Sequence, residues 1–362
     1  MKPGADRRVA FYAPMKSPHH PVPSGDREMA RNLMQVIGAD GADVDLISEL
    51  KVYDKRGGAN HQAELRQQAE DEADRLIRDM PNADLWVTYH NYYKAPDLIG
   101  PRVAAARGIP YVQIESTRAT SRLTGPWAGF AQAAHDACDA ANVIFYLTAN
   151  DLITLKREKF GNQTLVHFPP FLPTDSLPPT APLNGPMLAT GMMRDGDKLA
   201  SYQIIAETLP HLTGDWQLQI AGDGPARPQV EALMEPFDHR VTFLGQLDRA
   251  ELAKAYHNAS LFFWPGVNEA FGMVYLEAQS HGVPVVAQDR PGLRDVLEPG
   301  NYPAPDDGPQ ALAELINQFQ GDVTLRRTRG AAARRMISKS HLAPAATSRF
   351  WSAVLPLLET PT

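Results

Sequence analysis

Two glutamates eight residues apart, Glu269 and Glu277, stand in the run Asn268-Glu269-Ala270-Phe271-Gly272-Met273-Val274-Tyr275-Leu276-Glu277-Ala278. An ionised carboxylate accepts hydrogen bonds and donates none, so it suits the vicinal hydroxyls of a sugar or ribose. An apolar strand, Leu261-Phe262-Phe263-Trp264, precedes the run, and a new strand after His281-Gly282 follows it. A strand–loop–helix layout puts Glu269 at the helix mouth and Glu277 about one and a half turns inside. Gly272 lets a ligand approach the backbone, and first-turn amides favour an anion. Carboxylates beside such a helix end suit a ligand that carries both hydroxyls and phosphate. Taken alone, the pair reads more readily as a solvated helix face.

Context adds to the pair. Gln219-Ile220-Ala221-Gly222-Asp223-Gly224-Pro225 is a strand running into a Gly-rich turn, and Val241-Thr242-Phe243-Leu244-Gly245 is a strand closed by glycine. Open α/β sheets bind ligands at the carboxyl ends of their strands. The segments 187–198, 220–225, 243–246 and 265–277 all empty onto one such edge.

The positioning elements come in two sets. Strands at Arg8–Ala13, Asp43–Ile47, Leu85–Tyr89, Tyr111–Ile114 and Val143–Leu147 alternate with helices at Gly25–Ile37, 62–79, Asp97–Ala106, 126–141 and onward to Phe160. That alternation implies βαβ units and a parallel sheet. Residues 169–186 then carry Pro169, Pro170, Pro173, Pro178, Pro179, Pro182 and Pro186, which a helix or central strand cannot absorb, so the stretch reads as a linker. After it the alternation restarts, with strands at Met187–Thr190, Trp216–Ile220, Val241–Phe243, Leu261–Trp264 and Pro284–Val286. Helices are expected at 198–209, 226–235, 249–257 and 272–281. An amphipathic helix at 345–358 has nothing that ties it to the second set. The fold expected is α/β, with two tandem Rossmann-like doubly wound domains.

Composition narrows the class. The chain has 362 residues, 43% hydrophobic and 21% charged, which is ordinary globular composition and about two domains' worth of chain. Net charge is −7, whereas a duplex nucleic-acid binder usually carries a basic face and a high pI. The single cysteine, Cys138, excludes an internal disulfide and a multi-thiolate zinc site. It reads as a small core residue. No run approaches the ~18 apolar residues of a membrane span, and the charged start at Met1–Arg8 is unlike a signal peptide. A soluble cytoplasmic protein with no nucleic-acid partner is the expectation.

The block Gly222–Ala287 resembles the donor domain of glycosyltransferase family 4, of bacterial type. The resemblance rests on the Gly-Asp-Gly-Pro turn, the VTFLG strand, and Glu-x7-Glu in the setting EAFGMVYLEA…GVPVV. It extends along the chain through Arg8–Ala13 with Pro23-Ser24-Gly25-Asp26-Arg27, and through the strand Asp84–His90. It implies the two-domain GT-B fold, with domains facing a cleft and the closing helix returning to the first. Residues 1–168 with 345–362 are then an acceptor-binding domain, and 187–344 a donor-binding domain. The implied activity is retaining transfer of a hexose from a nucleotide-diphosphate sugar to a glycan, lipid-linked or small-molecule acceptor. The nucleotide sugar serves as co-substrate, with no cofactor and no metal.

By the same resemblance, Glu277 holds the nucleotide ribose and Glu269 lies by the donor sugar. Phe271, Gly272, Met273 and Val274 face sugar or phosphate, with Gly222, Asp223, Leu244 and Gly245 lining the donor site. Arg194 and Lys198 clasp the diphosphate, although Met192 stands where the family usually has its arginine. The residue-level alternative for both cations is a solvated turn before a helix. Asp195-Gly196-Asp197 is formally a DxD metal motif, but it reads better as turn chemistry with Asp197 capping the next helix. His90 ends a strand and suits a sugar hydroxyl, or a positive anomeric centre as neutral imidazole; a structural histidine is the alternative. Ser24, Gly25 and Arg27 open a helix that either meets phosphate or is plainly capped.

Lys94, Arg102, Arg107, Arg118 and Arg122, with Lys156, Arg157 and Lys159, either meet anionic lipid in a peripheral inner-membrane contact or are solvated helix faces. Phe262, Phe263 and Trp264 read as buried strand core. No side chain stands out as a nucleophile, so departure and attack on one face of the sugar are expected. A sugar-nucleotide epimerase and a non-catalytic sugar-binding protein remain alternatives. No GxGxxG follows the first strand, which disfavours a dehydrogenase.

Overall fold

The computed structural model describes residues 2–22, 24–269 and 272–359. The chain divides into two compact units, Met1–Pro169 with Ala343–Thr362, and Pro170–Leu342.

The first unit runs β1 (Arg8–Tyr12), α1 (Gly25–Gly38), β2 (Asp43–Ser48), α2 (Ala59–Asp79), β3 (Leu85–Asn91), α3 (Gly100–Arg107), β4 (Tyr111–Ser116), α4 (Ala128–Ala140), β5 (Val143–Tyr146), α5 (Ala149–Arg157) and β6 (Thr164–His167). Its sheet is parallel in the order β2-β1-β3-β4-β5-β6. Strand order reverses between β1 and β3, so the connections leaving these strands part and open a crevice at their carboxyl ends. β1 reads Val9-Ala10-Phe11-Tyr12 without polar alternation, as a strand covered on both faces must, and all four are buried.

The second unit contains β7 (Met187–Thr190), α6 (Asp197–Thr208), β8 (Leu218–Ala221), α7 (Arg227–Met234), β9 (Val241–Gly245), α8 (Arg249–Asn258), β10 (Leu261–Phe263), α9 (Met273–Ser280), β11 (Val285–Val286), α10 (Gly308–Gly321) and α11 (Val323–Ser340). Its sheet is parallel in the order β11-β10-β7-β8-β9, so reversal falls between β7 and β10. A final helix, α12 (Ala343–Glu359), belongs to the first unit. There Thr347 Oγ1 donates to the Val36 carbonyl (2.9 Å) and Trp351 Nε1 to that of Ile37 (3.1 Å), both on α1.

Three features differ from the sequence reading. The proline-rich stretch is not free chain: Leu172, Ala181 and Leu183 are buried in the core of the second unit. So many prolines break a helix, but extended backbone still turns apolar side chains inward. α3 starts at Gly100 rather than Asp97, because the Asp97 carboxylate accepts the amides of Ile99 (3.0 Å) and Gly100 (2.7 Å) and so ends the preceding loop. β6, α10 and α11 were not anticipated. Among the described residues no helix is long and apolar enough to cross a membrane.

Candidate functional site

In the second unit the connections leaving β7 and β10 meet where strand order reverses. Lys198 lies in the first turn of α6, which follows β7, and Glu269 lies in the loop after β10. Their side chains form an ion pair. The same Glu269 Oε1 accepts the indole N–H of Trp264 at 2.8 Å, and the Lys198 ammonium sits 5.4 Å from the Trp264 ring centroid. Trp264 is fully buried, so the pair is walled by a low-dielectric surface on one side. Both partners are held by the one oxygen, Oε1.

Backbone constraints hold this loop. Asn268 adopts φ +47°, uncommon for a residue with a side chain, and its amide donates to Asp197 Oδ1 at 2.9 Å. Val267 N–H donates to Ser201 Oγ at 3.2 Å. Asp197 is thus the first residue of α6 and a tie to the opposite loop. Gly196, not Asp197, occupies the capping position. The expected cap fails because the carboxylate is engaged elsewhere.

Glu277 lies on α9, whose N-cap is Gly272 at φ +57°. A Cβ there would stand 2.8 Å from both Tyr275 and Val296, so the residue opening this helix must be glycine. Met273 and Val274 form the first turn, half-buried against the core. Tyr256 donates its hydroxyl to Glu277 Oε2 at 2.9 Å and sits 3.2 Å from Thr190 Oγ1 at the end of β7. Burial pushes the Glu277 carboxyl above its ordinary range; the Tyr256 bond and the Arg249 charge oppose that rise.

The Gly-rich turn after β8 is built for close approach. Gly222, at φ +145°, donates to the Gly245 carbonyl at 2.8 Å, and a Cβ on it would stand 1.9 Å from the Gly191 carbonyl oxygen. Asp223 is committed to structure: Oδ1 accepts Gly224 N–H at 2.7 Å and Oδ2 pairs with Arg227 at 3.1 Å. Leu244 packs on the core, while Gly245 faces open space. Arg194 is exposed and stands outside the Lys198–Glu269 pair, with no side-chain partner among the described residues. Phe271 lies outside the described residues.

The first unit has its own cluster at the reversal point. His90 Nδ1 is 3.5 Å from Asp26 Oδ1 on α1 and 3.6 Å from Glu115 Oε1 on β4. Burial disfavours charge on His90, but Glu115 and Asp26 outweigh it, and the His90 pKa stands above its ordinary value. Burial pushes Glu115 up to about 7, against the opposing effects of His90 and Tyr89. Ser24 is the N-cap of α1, its Oγ accepting the Arg27 amide at 3.3 Å, and Gly25 is the first helical residue. Arg27 Nε is buried without a hydrogen bond among the described residues.

The basic cluster is mostly satisfied internally. Arg118 is buried against Asp139 (2.6 Å), Arg102 pairs with Asp74, and Arg157 with Glu158 (2.6 Å). Arg107 donates to the Ile77 and Met80 carbonyls, and Lys94 and Arg122 lie over the Tyr93 and Trp127 rings. Among the described residues no group of three or more His, Cys, Asp or Glu side chains gathers to hold a metal. Sequence reasoning missed Trp264 and Tyr256 as hydrogen-bond donors, and Glu115 altogether. A buried Trp or Tyr needs a partner for its polar tip, and that signal was available for the first two.

Residues 187–322 match the family model described as glycosyl transferases group 1. A phosphatidyl-myo-inositol mannosyltransferase of Mycobacterium leprae is 29% identical over 70% of this chain and 69% of its own length. A GDP-mannose-dependent alpha-mannosyltransferase of Mycolicibacterium smegmatis is 35% identical over 34% of this chain, which spans only 32% of that relative. A D-inositol 3-phosphate glycosyltransferase of Xylanimonas cellulosilytica is 31% identical over 48% of this chain and 44% of its own. Among solved structures, a sucrose-phosphate synthase of Thermosynechococcus elongatus superposes with a TM-score of 0.71 at 18% identity, covering 97% of this chain and 99% of that one. An Anabaena protein in complex with UDP and glucose gives 0.66 at 16% identity, covering 96% and 99%. The two parallel α/β units are the GT-B fold, and residues 187–322 are similar to the group 1 glycosyl transferases.

Proposed function

We propose that this chain is a retaining glycosyltransferase that moves a hexose from a nucleotide-diphosphate sugar to a hydroxyl-bearing acceptor, without a metal. The observation that carries the reading is the meeting of Lys198 and Glu269 at the strand-order reversal of the second unit, beside the first turn of α9 and the buried Glu277. A cation, a sugar-facing acceptor, helix amides and a diol-binding carboxylate are what a nucleotide sugar needs.

In this reading Glu277 accepts the ribose hydroxyls. Glu269 Oε2 accepts a hydroxyl of the transferred sugar, while its Oε1 keeps the Lys198 ammonium in place. The bond between the anomeric carbon and the diphosphate oxygen breaks. The acceptor oxygen bonds that carbon on the same face, and its proton passes to the departing phosphate. Lys198, the α9 amides and Arg194 offset the charge that grows on the diphosphate; a preplaced cation of this kind needs no reorganisation during the reaction. The first unit supplies the acceptor. GDP-mannose in the name of one relative, inositol compounds in two others and UDP with glucose in a solved structure nominate the compounds to try first.

The test is a thermal-shift panel of nucleoside diphosphates and their sugars, with and without chelator, followed by the anomeric configuration of any product. A ligand bound only by the folded state raises the melting temperature by mass action. No shift with any nucleotide, or an inverted product, overturns the reading; a shift abolished by chelator overturns its metal-free part.

A further inference from the structure

Two residues on neighbouring strands of the first unit share a rare backbone state. His90 in β3 has φ +69° and Glu115 in β4 has φ +59°. They stand level in the sheet, since Tyr89 pairs with Ile114 and Asn91 with Ser116 on either side. Left-handed backbone is uncommon for residues with side chains and costs about 1–3 kcal/mol apiece. Two such residues side by side in a core sheet are held there by the surrounding fold, and strain of this kind gathers at functional sites.

The outcome is visible in the side chains. Both are mostly buried, with 16% and 13% of their side-chain surface exposed. His90 Nδ1 faces Glu115 Oε1 and Asp26 Oδ1 at ion-pair distance. Neither His90 Nδ1 nor Glu115 Oε2 has a hydrogen bond among the described residues. A buried polar atom left without one costs about 1–3 kcal/mol, so a fold serving only stability would lose both groups. The other charged or titratable groups near the cluster are Tyr89 on β3, Tyr92 just beyond β3 and Asp151 on α5. Carboxylates from three elements therefore bear on one imidazole.

We propose that Glu115 is a positioning residue that, with Asp26, keeps His90 oriented and protonated, so that His90 presents Nε2–H as a cationic hydrogen-bond donor to an oxygen of the acceptor held by the first unit. The proposal rests on the glycosyl-transfer reading for what His90 addresses. Nδ1 carries the second proton, held between the two carboxylates. Glu115 itself touches no substrate. It acts by biasing the imidazole towards its charged form, in which both ring nitrogens donate.

The experiment is an NMR titration of the His90 ring in the full chain, assigned by loss of its signal in His90→Asn, beside the pH dependence of turnover. The His90 midpoint is expected above the ordinary value of about 6.5. In Glu115→Gln it falls by at least one pH unit, and the alkaline limb of kcat moves down with it, while nucleoside diphosphate affinity stays unchanged. Should Glu115→Gln not fold, Asp26→Asn, altering a more exposed side chain, is expected to lower the midpoint by a smaller step. A His90 midpoint unmoved in a folded variant overturns the proposal. Wild-type protein that neither binds nucleoside diphosphates nor transfers sugar overturns the glycosyl-transfer reading instead, and leaves the titration result to stand by itself.

Discussion

Lys198 and Glu269, 71 residues apart in the chain, are joined by an ion pair against the buried face of Trp264. The parallel order of the sheet produces this meeting: the strands before these two residues are neighbours, so the segments leaving their carboxyl ends lie side by side. The pair is partly buried, with 28% and 13% of the two side chains exposed, so removing one charge leaves the other without its partner and is expected to lower the melting temperature as well as turnover. Lys198→Ala and Glu269→Ala should each lower kcat roughly 100- to 1,000-fold, as loss of one transition-state stabiliser does elsewhere. Steady-state kinetics with a nucleotide sugar checks this, and kcat within threefold of wild type refutes the assigned roles.

Glu277 gives a different signature. Its carboxyl must be ionised to accept ribose hydroxyls, yet burial raises its pKa. Nucleotide affinity should therefore weaken as pH falls through that raised value. Glu277→Ala should weaken binding roughly 10- to 100-fold at neutral pH, the worth of hydrogen bonds to a charged group. Glu277→Gln should bind weakly at every pH, with the acidic decline gone. Calorimetric titration with a nucleoside diphosphate across the acidic range distinguishes these outcomes.

Two glycines at the carboxyl edge of the second sheet should respond unequally to alanine. At Gly222 an added Cβ meets the Gly191 carbonyl oxygen at 1.9 Å, and φ is +145°. At Gly245 φ is +70° but the space is open. Gly222→Ala should cost about 2–4 kcal/mol, combining strain with displaced backbone. Gly245→Ala should cost about 1 kcal/mol, the price of left-handed backbone alone. Urea unfolding midpoints measure both, and equal losses would show that the close approach to Gly191 is not what fixes Gly222.

The Glu115 carboxyl also predicts how stability varies with pH. Its pKa of about 7 in the folded protein lies above the ordinary carboxylate value of 4.5. Between these values the folded state keeps a proton that the unfolded chain releases, so stability falls as pH rises. Glu115→Gln removes that proton and should flatten the slope. Relative to wild type, its melting temperature should be higher at pH 8 than at pH 5. The opposite slope would place Glu115 in a solvated environment.

Much of the architecture was legible in the residues. Strands such as Leu85–Tyr89 are long apolar runs between polar helices, and the Glu269–Glu277 spacing with Gly272 between marks a loop entering a helix. What escaped depended on long-range partners. Nothing near Glu115 in sequence signals His90, because strand pairing brings them together across 25 positions of chain. Asp197 looked like a cap because its local context favours one, and only the distant Asn268 amide diverts it. Trp264 was recognised as buried, yet burial alone does not say whom its N–H will meet. Arg118 looked like a free surface cation until Asp139, on a helix 21 residues later, closed over it.

The route by which α12 rejoins α1 bears on synthesis. Ribosomes deliver the chain from its amino end, so β1 to β6 emerge long before Thr347 and Trp351 can dock on Val36 and Ile37. Until then one flank of the first unit stays uncovered, while the whole second unit is being made. The earliest-born half is thus the last to be finished, and a nascent chain stalled before α12 would present that bare helix face to chaperones and proteases.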